Sequence, residues 1–118
     1  MIWAASQFSV RFNGGESYEP GGYITDFYTD EALKVIEKNK YRPFFLYLGH
    51  FAPHNPLQAL KEDYDHFHHL SKEDDHGLRV YSAMIRSLDR SVGKVLDALD
   101  EYNPVSYTHL RAHETESN

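Results

Sequence analysis

At 118 residues, the chain is long enough for one small domain with a single core, and its 41% hydrophobic and 25% charged residues suit a globular sequence rather than a disordered one. A formal net charge of −6 leaves no basic footprint for nucleic acid, and no apolar run approaches the length of a membrane span. Cysteine is absent, which excludes disulfides and thiolate metal sites in this chain and says nothing about its compartment.

Residues 1–10 start apolar but carry neither a basic segment nor a long apolar core, so they do not read as a signal peptide. Phe8, Val10 and Phe12 alternate with Ser9 and Arg11, the pattern of a short half-buried strand, and Asn13-Gly14-Gly15 then reads as a turn. Pro20-Gly21-Gly22 is a second breaker. Thr25 or Asp26 is the expected N-cap of a helix reaching residue 39. Its expected apolar face is Phe27, Tyr28, Ala32, Leu33, Val35 and Ile36, with Asp30, Glu31, Lys34, Glu37 and Lys38 toward water.

Residues 44–48, FFLYL, form an unbroken bulky run that reads as a strand buried on both faces. A helix followed closely by such a strand is half of a parallel βαβ unit, so the expected class is α/β, a mainly parallel sheet flanked by helices. Residues 60–70 suggest a short helix and 71–77 a polar loop. Residues 78–102 form the clearest helix, with Leu78, Tyr81, Ile85, Leu88, Val92, Val95 and Leu99 as one stripe expected to face the core. Gly93 inside it costs about 1 kcal/mol relative to alanine, unless it serves a close approach.

The chemistry centres on residues 42–58, RPFFLYLGHFAPHNPLQ. Ligands of open α/β sheets sit beyond the carboxyl ends of the strands. His54 lies six residues past that expected strand end, between Pro53 and Pro56, which each fix their own φ. Pro53 also restricts Ala52. An imidazole held there suits acid–base work, and a loop histidine capping a backbone group is the plainer alternative. His50, at the strand end, reads more simply as a partly buried histidine bonded to a nearby carbonyl. The cluster Asp65-His66-Phe67-His68-His69, with His76 beyond, would bring Asp65, His66 and His69 to one helical face. It has no zinc motif, and a solvated helix end is preferred. Glu62, Asp63, Asp65, Glu73, Asp74 and Asp75 are expected in solvent, the last three also favouring the start of the long helix. Asp89 is given no catalytic role.

Two blocks, GGYITDFYTDEALKVIEKNKYRPFFLYLGHFAPHNPLQALKEDY and RVYSAMIRSLDRSVGKVLDAL, resemble the middle of a bacterial arylsulfatase. The sulfatase family hydrolyses sulfate esters and belongs to the alkaline phosphatase superfamily. The resemblance covers residues 21–101. It implies that residues 1–104 are part of a sulfatase catalytic domain, with 1–20 the least defined, in a protein several times longer. It places His54 against the sulfate ester, as a contact or as the acid for the leaving oxygen, and it places no metal site on this segment. The family's formylglycine arises from a C/S-x-P-x-R motif, which no serine here begins, and its calcium is held by segments outside this one. The resemblance therefore implies that the chain alone is inactive and that the parent is periplasmic or secreted. It leaves the oligomeric state open, and the substrate could be an aryl sulfate, a sulfated polysaccharide or a sulfated lipid. Residues 105–118, VSYTHLRAHETESN, resemble a translated sequencing adapter and are expected to be a non-native or disordered tail. The rival reading is a small helical interaction module built on the 78–99 stripe, and a weaker third is a histidine-based metal-binding protein.

Overall fold

The computed structural model describes residues 9–70 and 76–102. In chain order these form β1 (Val10–Arg11), β2 (Ser17–Tyr18), α1 (Ile24–Lys38), α2 (Lys61–His66) and α3 (His76–Tyr102). The two strands pair antiparallel, Val10 opposite Tyr18 and Arg11 opposite Ser17. Their turn uses Asn13 and Gly14 in the left-handed region, at φ 51° and 73°, closed by Gly15 N–H donating to Phe12 O at 2.9 Å. The residue types that tolerate this region at least cost stand where it is needed.

Helix α1 starts earlier than its sequence suggests. Its N-cap is Tyr23, not Thr25 or Asp26, and no side chain caps it. Tyr23 is buried and its hydroxyl donates to Gln58 O at 2.8 Å, so tertiary packing sets the start in place of a local cap. Thr25 and Asp26 lie in the first turn, where Asp26 suits the positive end of the helix dipole. The buried face is Ile24, Thr25, Thr29, Ala32 and Ile36, while Val35, expected inside, is exposed.

Helix α3 is the spine. Toward its start, Val80, Ala83 and Met84 pack with Ala52, Ala59 and Tyr64, and Leu57 and Phe67 lean on this cluster. Toward its end, Val95 and Ala98 pack with Ile36, flanked by Leu33, Leu46, Leu48, Leu99 and Tyr102. The stripe read from the sequence is thus rotated from the buried face. Leu78, Tyr81, Ile85 and Val92 are exposed, whereas Arg79, Val80, Ala83, Met84, Ser87, Ser91, Val95 and Ala98 are buried. A hydrophobic pattern weights large side chains, but a closely packed helix face is selected for small ones. Gly93 has nothing within 4 Å of an added Cβ, so no close approach explains it.

Residues 44–48 do not form the expected strand buried on both faces. They join no ladder among the described residues, and burial alternates along them. Leu46 and Leu48 pack on α1 and α3, while Phe45 is 92% and Tyr47 74% exposed. A strand is defined by its neighbours' hydrogen bonds, and the described residues supply none here. The regular structure described is therefore helical apart from the two-stranded hairpin.

The helix expected over 60–70 stops at His66, and turns carry the chain to Leu70. His76 and Gly77, assigned to a loop, are the first turn of α3. Glu73, Asp74 and Asp75, and the 105–118 tail, lie outside the described residues. Asp63, expected in solvent, has a fully buried side chain, with Arg86 and Arg90 both donating to its Oδ1. Arg90 also reaches Glu62 at 3.4 Å. Arg79 lies 3.7 Å over the Tyr64 ring and donates from Nε to Tyr64 O at 2.9 Å. These contacts pin α2 to α3 through cations that the sequence pattern placed on no face.

Two substitutions check this packing. Asp63→Ala should lower unfolding free energy by about 2–3 kcal/mol, the range for a charged hydrogen bond, because the freed guanidiniums are partly exposed and can turn to water. Gly93→Ala should raise it by up to about 1 kcal/mol, since the added methyl meets open space. Urea midpoints of the two variants against the parent sequence decide both.

Candidate functional site

The loop after residues 44–48 is fixed at its ends and open at its tip. Ala52, Gln58 and Ala59 are buried, and Leu57 packs on the α2–α3 cluster. His54, Asn55 and Pro56 between them are exposed. His54 N–H donates to Phe51 O at 3.0 Å, which closes a tight turn, and the two rings lie 5.3 Å apart. His54 Nδ1 sits 2.8 Å from Asn55 O. A carbonyl can only accept, so Nδ1 carries the proton and Nε2 is left out of this bond. The ring thus caps a backbone group and still presents a free nitrogen, so the two readings of His54 are compatible.

His50 is placed differently. Its Nε2 lies 2.7 Å from Ser91 Oγ on α3, and its ring is 6.3 Å from Tyr28 on α1. Ser91 Oγ is 2.7 Å from Thr29 Oγ1, which in turn is 2.6 Å from Thr25 O. The partner is a hydroxyl 41 residues away, not the nearby carbonyl expected. His50 Nδ1 is buried without a hydrogen-bond partner among the described residues. Burial pushes the imidazole below its ordinary pKa of 6.5. Sequence reasoning missed Thr25, Thr29 and Ser91. The signal was there in hydroxyls spaced four apart, Thr25 with Thr29 and Ser87 with Ser91, on faces otherwise apolar.

The Asp65–His69 cluster does not assemble on one face, because α2 ends at His66 and leaves His69 in the following turn. Asp65 accepts from Lys61 and lies 3.9 Å from Arg79. His76 Nδ1 lies 2.8 Å from the Tyr64 hydroxyl. Asp89 is exposed. Among the described residues, no three carboxylates or imidazoles converge as a cation would require, and the most buried carboxylate, Asp63, is already neutralised by two arginines. These residues do not fit a calcium ion. No helix among the described residues is long and apolar enough to cross a membrane.

Comparison with known proteins gives a consistent result. A family model described as Sulfatase matches residues 3–106. Mouse (Mus musculus) arylsulfatase J is 31% identical over 91 residues, which are 76% of this chain and 15% of that protein. The uncharacterized sulfatase YdeN of Escherichia coli K12 is 35% identical over 93 residues, 75% of this chain and 16% of that one. Human N-acetylgalactosamine-6-sulfatase is 30% identical over 105 residues, 88% of this chain and 17% of that one. Among solved structures, Ps i-CgsB superposes with a TM-score of 0.66 at 40% identity, over 76% of this chain and 20% of that one, and it was also solved with k-i-k-neocarrahexaose. The chain therefore spans under a fifth of the length of these curated relatives.

The buried imidazole sets a pH dependence. His50 has a folded pKa below its unfolded value, so between the two the unfolded chain binds more protons. The stability it contributes is complete above about pH 6.5 and is lost as pH falls through the folded value. Asp26, pushed up from 3.8 mainly by burial and opposed by Lys94 and Arg90, acts in the opposite sense at lower pH. Urea midpoints should therefore fall from about pH 7.5 to about pH 5.5, and His50→Gln should flatten that fall. An equal fall in both proteins would remove His50 as its source.

Proposed function

The chain belongs to the sulfatase family, and from that premise we propose that it carries the His54 loop of a sulfate-ester hydrolase, with His54 as the acid for the leaving oxygen. The observation that carries this reading is the placement of His54: exposed at the tip of a loop anchored on both sides, with Nδ1 spent on Asn55 O and Nε2 not used by that bond. Cleavage of a sulfate ester at the S–O bond leaves negative charge on the departing alkoxide or phenolate oxygen. An imidazolium donating from Nε2 neutralises that charge as it develops. The loop's buried ends keep the ring from following the substrate, so the proton is offered from a fixed point.

Family membership implies the alkaline phosphatase-like α/β fold. Within it, we read residues 44–48 as one strand of the parent's mainly parallel sheet. In support, Leu46 and Leu48 already face the helices, while Phe45 and Tyr47 alternate outward. Formylglycine and calcium, where the family carries them, supply the nucleophile and the positive charge at the sulfate. No step proposed for this chain's residues passes through either. A sulfated saccharide is the substrate class this reading favours, because a neighbour at 40% identity binds k-i-k-neocarrahexaose.

Three outcomes are expected. The 118-residue chain should not hydrolyse a chromogenic aryl sulfate above background, with or without calcium, and turnover abolished by His54→Ala would contradict this. In a full-length family protein carrying this segment, His54→Ala should lower kcat by about 10²–10⁴-fold. The loss should be larger for unactivated alkyl sulfates than for activated aryl sulfates, with His50→Ala and His69→Ala much milder. Near-normal kcat/KM on both substrates would reduce His54 to a structural role. Finally, the isolated chain should self-associate through its exposed 44–48 edge, and Tyr47→Lys should reduce that association in sedimentation velocity.

A further inference from the structure

The contacts of His50 with Ser91, Thr29 and Thr25 can be resolved proton by proton. Thr29 has one hydroxyl proton and lies 2.6 Å from Thr25 O, which can only accept. That proton is therefore committed to Thr25. At 2.7 Å from Thr29 Oγ1, Ser91 must then donate to it, and Ser91's only proton is committed in turn. Ser91 Oγ is left as an acceptor for His50, 2.7 Å away, so Nε2 bears the ring's proton. The neutral ring has one N–H, which makes Nδ1 bare. Nδ1 is indeed buried with no partner among the described residues, so a second proton there would find no acceptor.

We propose that His50 is a positioning residue, locked as the neutral Nε2–H tautomer by a hydroxyl relay through Ser91 and Thr29 to Thr25 O, and that this lock fixes where the His54 loop begins. The relay ties three separate parts of the chain: α1 through Thr25 and Thr29, α3 through Ser91, and the end of the 44–48 segment through His50. The groups recorded against the ring are Tyr28 from α1, with 6.3 Å between ring centroids, and Ser91 from α3, and Thr29 is reached through Ser91. No carboxylate forms an ion pair with it among the described residues, and burial holds its pKa below the ordinary value. The next residue, Phe51, receives the His54 N–H on its carbonyl, and its ring lies 5.3 Å from the His54 ring at a 59° tilt. Displacing His50 therefore moves the frame of His54. The two histidines, four residues apart, have divided roles: His50 holds and does not exchange protons, and His54 is left free to do so. The second half of this division rests on the proposed catalytic reading of His54, and the first does not.

The test uses ring-nitrogen NMR of the ¹⁵N-histidine-labelled chain, with His50 assigned by its loss in His50→Asn. The expected result is an Nε2–H, Nδ1-bare ring that remains neutral at about pH 6.5, where an unperturbed imidazole is half protonated. Thr29→Val keeps the shape and removes the acceptor for Ser91. The freed Ser91 proton should then turn to Nε2 and shift the His50 tautomer ratio toward Nδ1–H by about tenfold. Amide signals of Phe51, Ala52, His54, Asn55, Leu57 and Gln58 should move with it. Thr29→Ser keeps the hydroxyl and should leave both unchanged. If Thr29→Val fails to fold by circular dichroism, Ser91→Ala serves instead, and the ring should become a mixture of tautomers. Wild-type His50 found as Nδ1–H or as imidazolium at neutral pH overturns the proposal. So does a hydroxyl-deleting variant indistinguishable from Thr29→Ser. Failure of the His54 reading shows separately, as an unchanged kcat in His54→Ala beside an intact relay.

Discussion

The structure depends on the close-packed face of α3. Ala83, Ser87, Ser91 and Ala98 put little bulk between this helix and its neighbours, so α1, α2 and residues 46–50 all reach it. Small side chains gain less from burial individually than leucine or isoleucine would. Their advantage is approach: they bring main chains near enough for Met84, Val80, Ile36 and Tyr64 to fill the remaining space. They also bring hydroxyls within hydrogen-bond distance across elements, as Thr29 and Ser91 are at 2.7 Å. A bulky residue at position 91 would separate the same elements and remove the anchor of His50.

Around this spine, polar contacts supply the register that apolar packing leaves loose. Asp63 fixes α2 against α3 through Arg86 and Arg90, and Tyr23 fixes the start of α1 against the loop at Gln58. His50 fixes the end of the extended segment. The His50 and Tyr23 contacts lie at the two ends of the His54 loop, and none of the three involves its tip. The result is a rigid frame with an exposed end, the arrangement a site needs when other groups must meet it. The exposed faces of Phe45, Tyr47, Leu78, Tyr81 and Ile85 would equally suit a small helical interaction module. The family match over residues 3–106 supports the sulfatase reading, and nothing supports the helical module better.

The sequence by itself determined the family, through the APHNPLQ loop and the long-helix block. It also determined the positions of the turn at Asn13-Gly14, of the helix before the loop and of the long helix after it. These are local properties: a left-handed turn demands particular residues, and helical periodicity persists over many turns. Tertiary structure decided which face of each helix is buried, because α3 is apolar on two sides and only contact shows which side α1 takes. It decided the start of α1, where Tyr23 binds a carbonyl 35 residues away, and it turned Asp63 inward, since two arginines more than 20 residues on compensate its charge. It also decided the fate of residues 44–48, whose sequence favours a strand but whose ladder depends on partners the described residues lack. Finally, it separated His50 from His54. In the sequence they are two histidines four apart. In space one is bound into a relay between two helices and the other stands at an open tip, because the partner that holds His50 lies 41 residues away and only folding brings it to the ring.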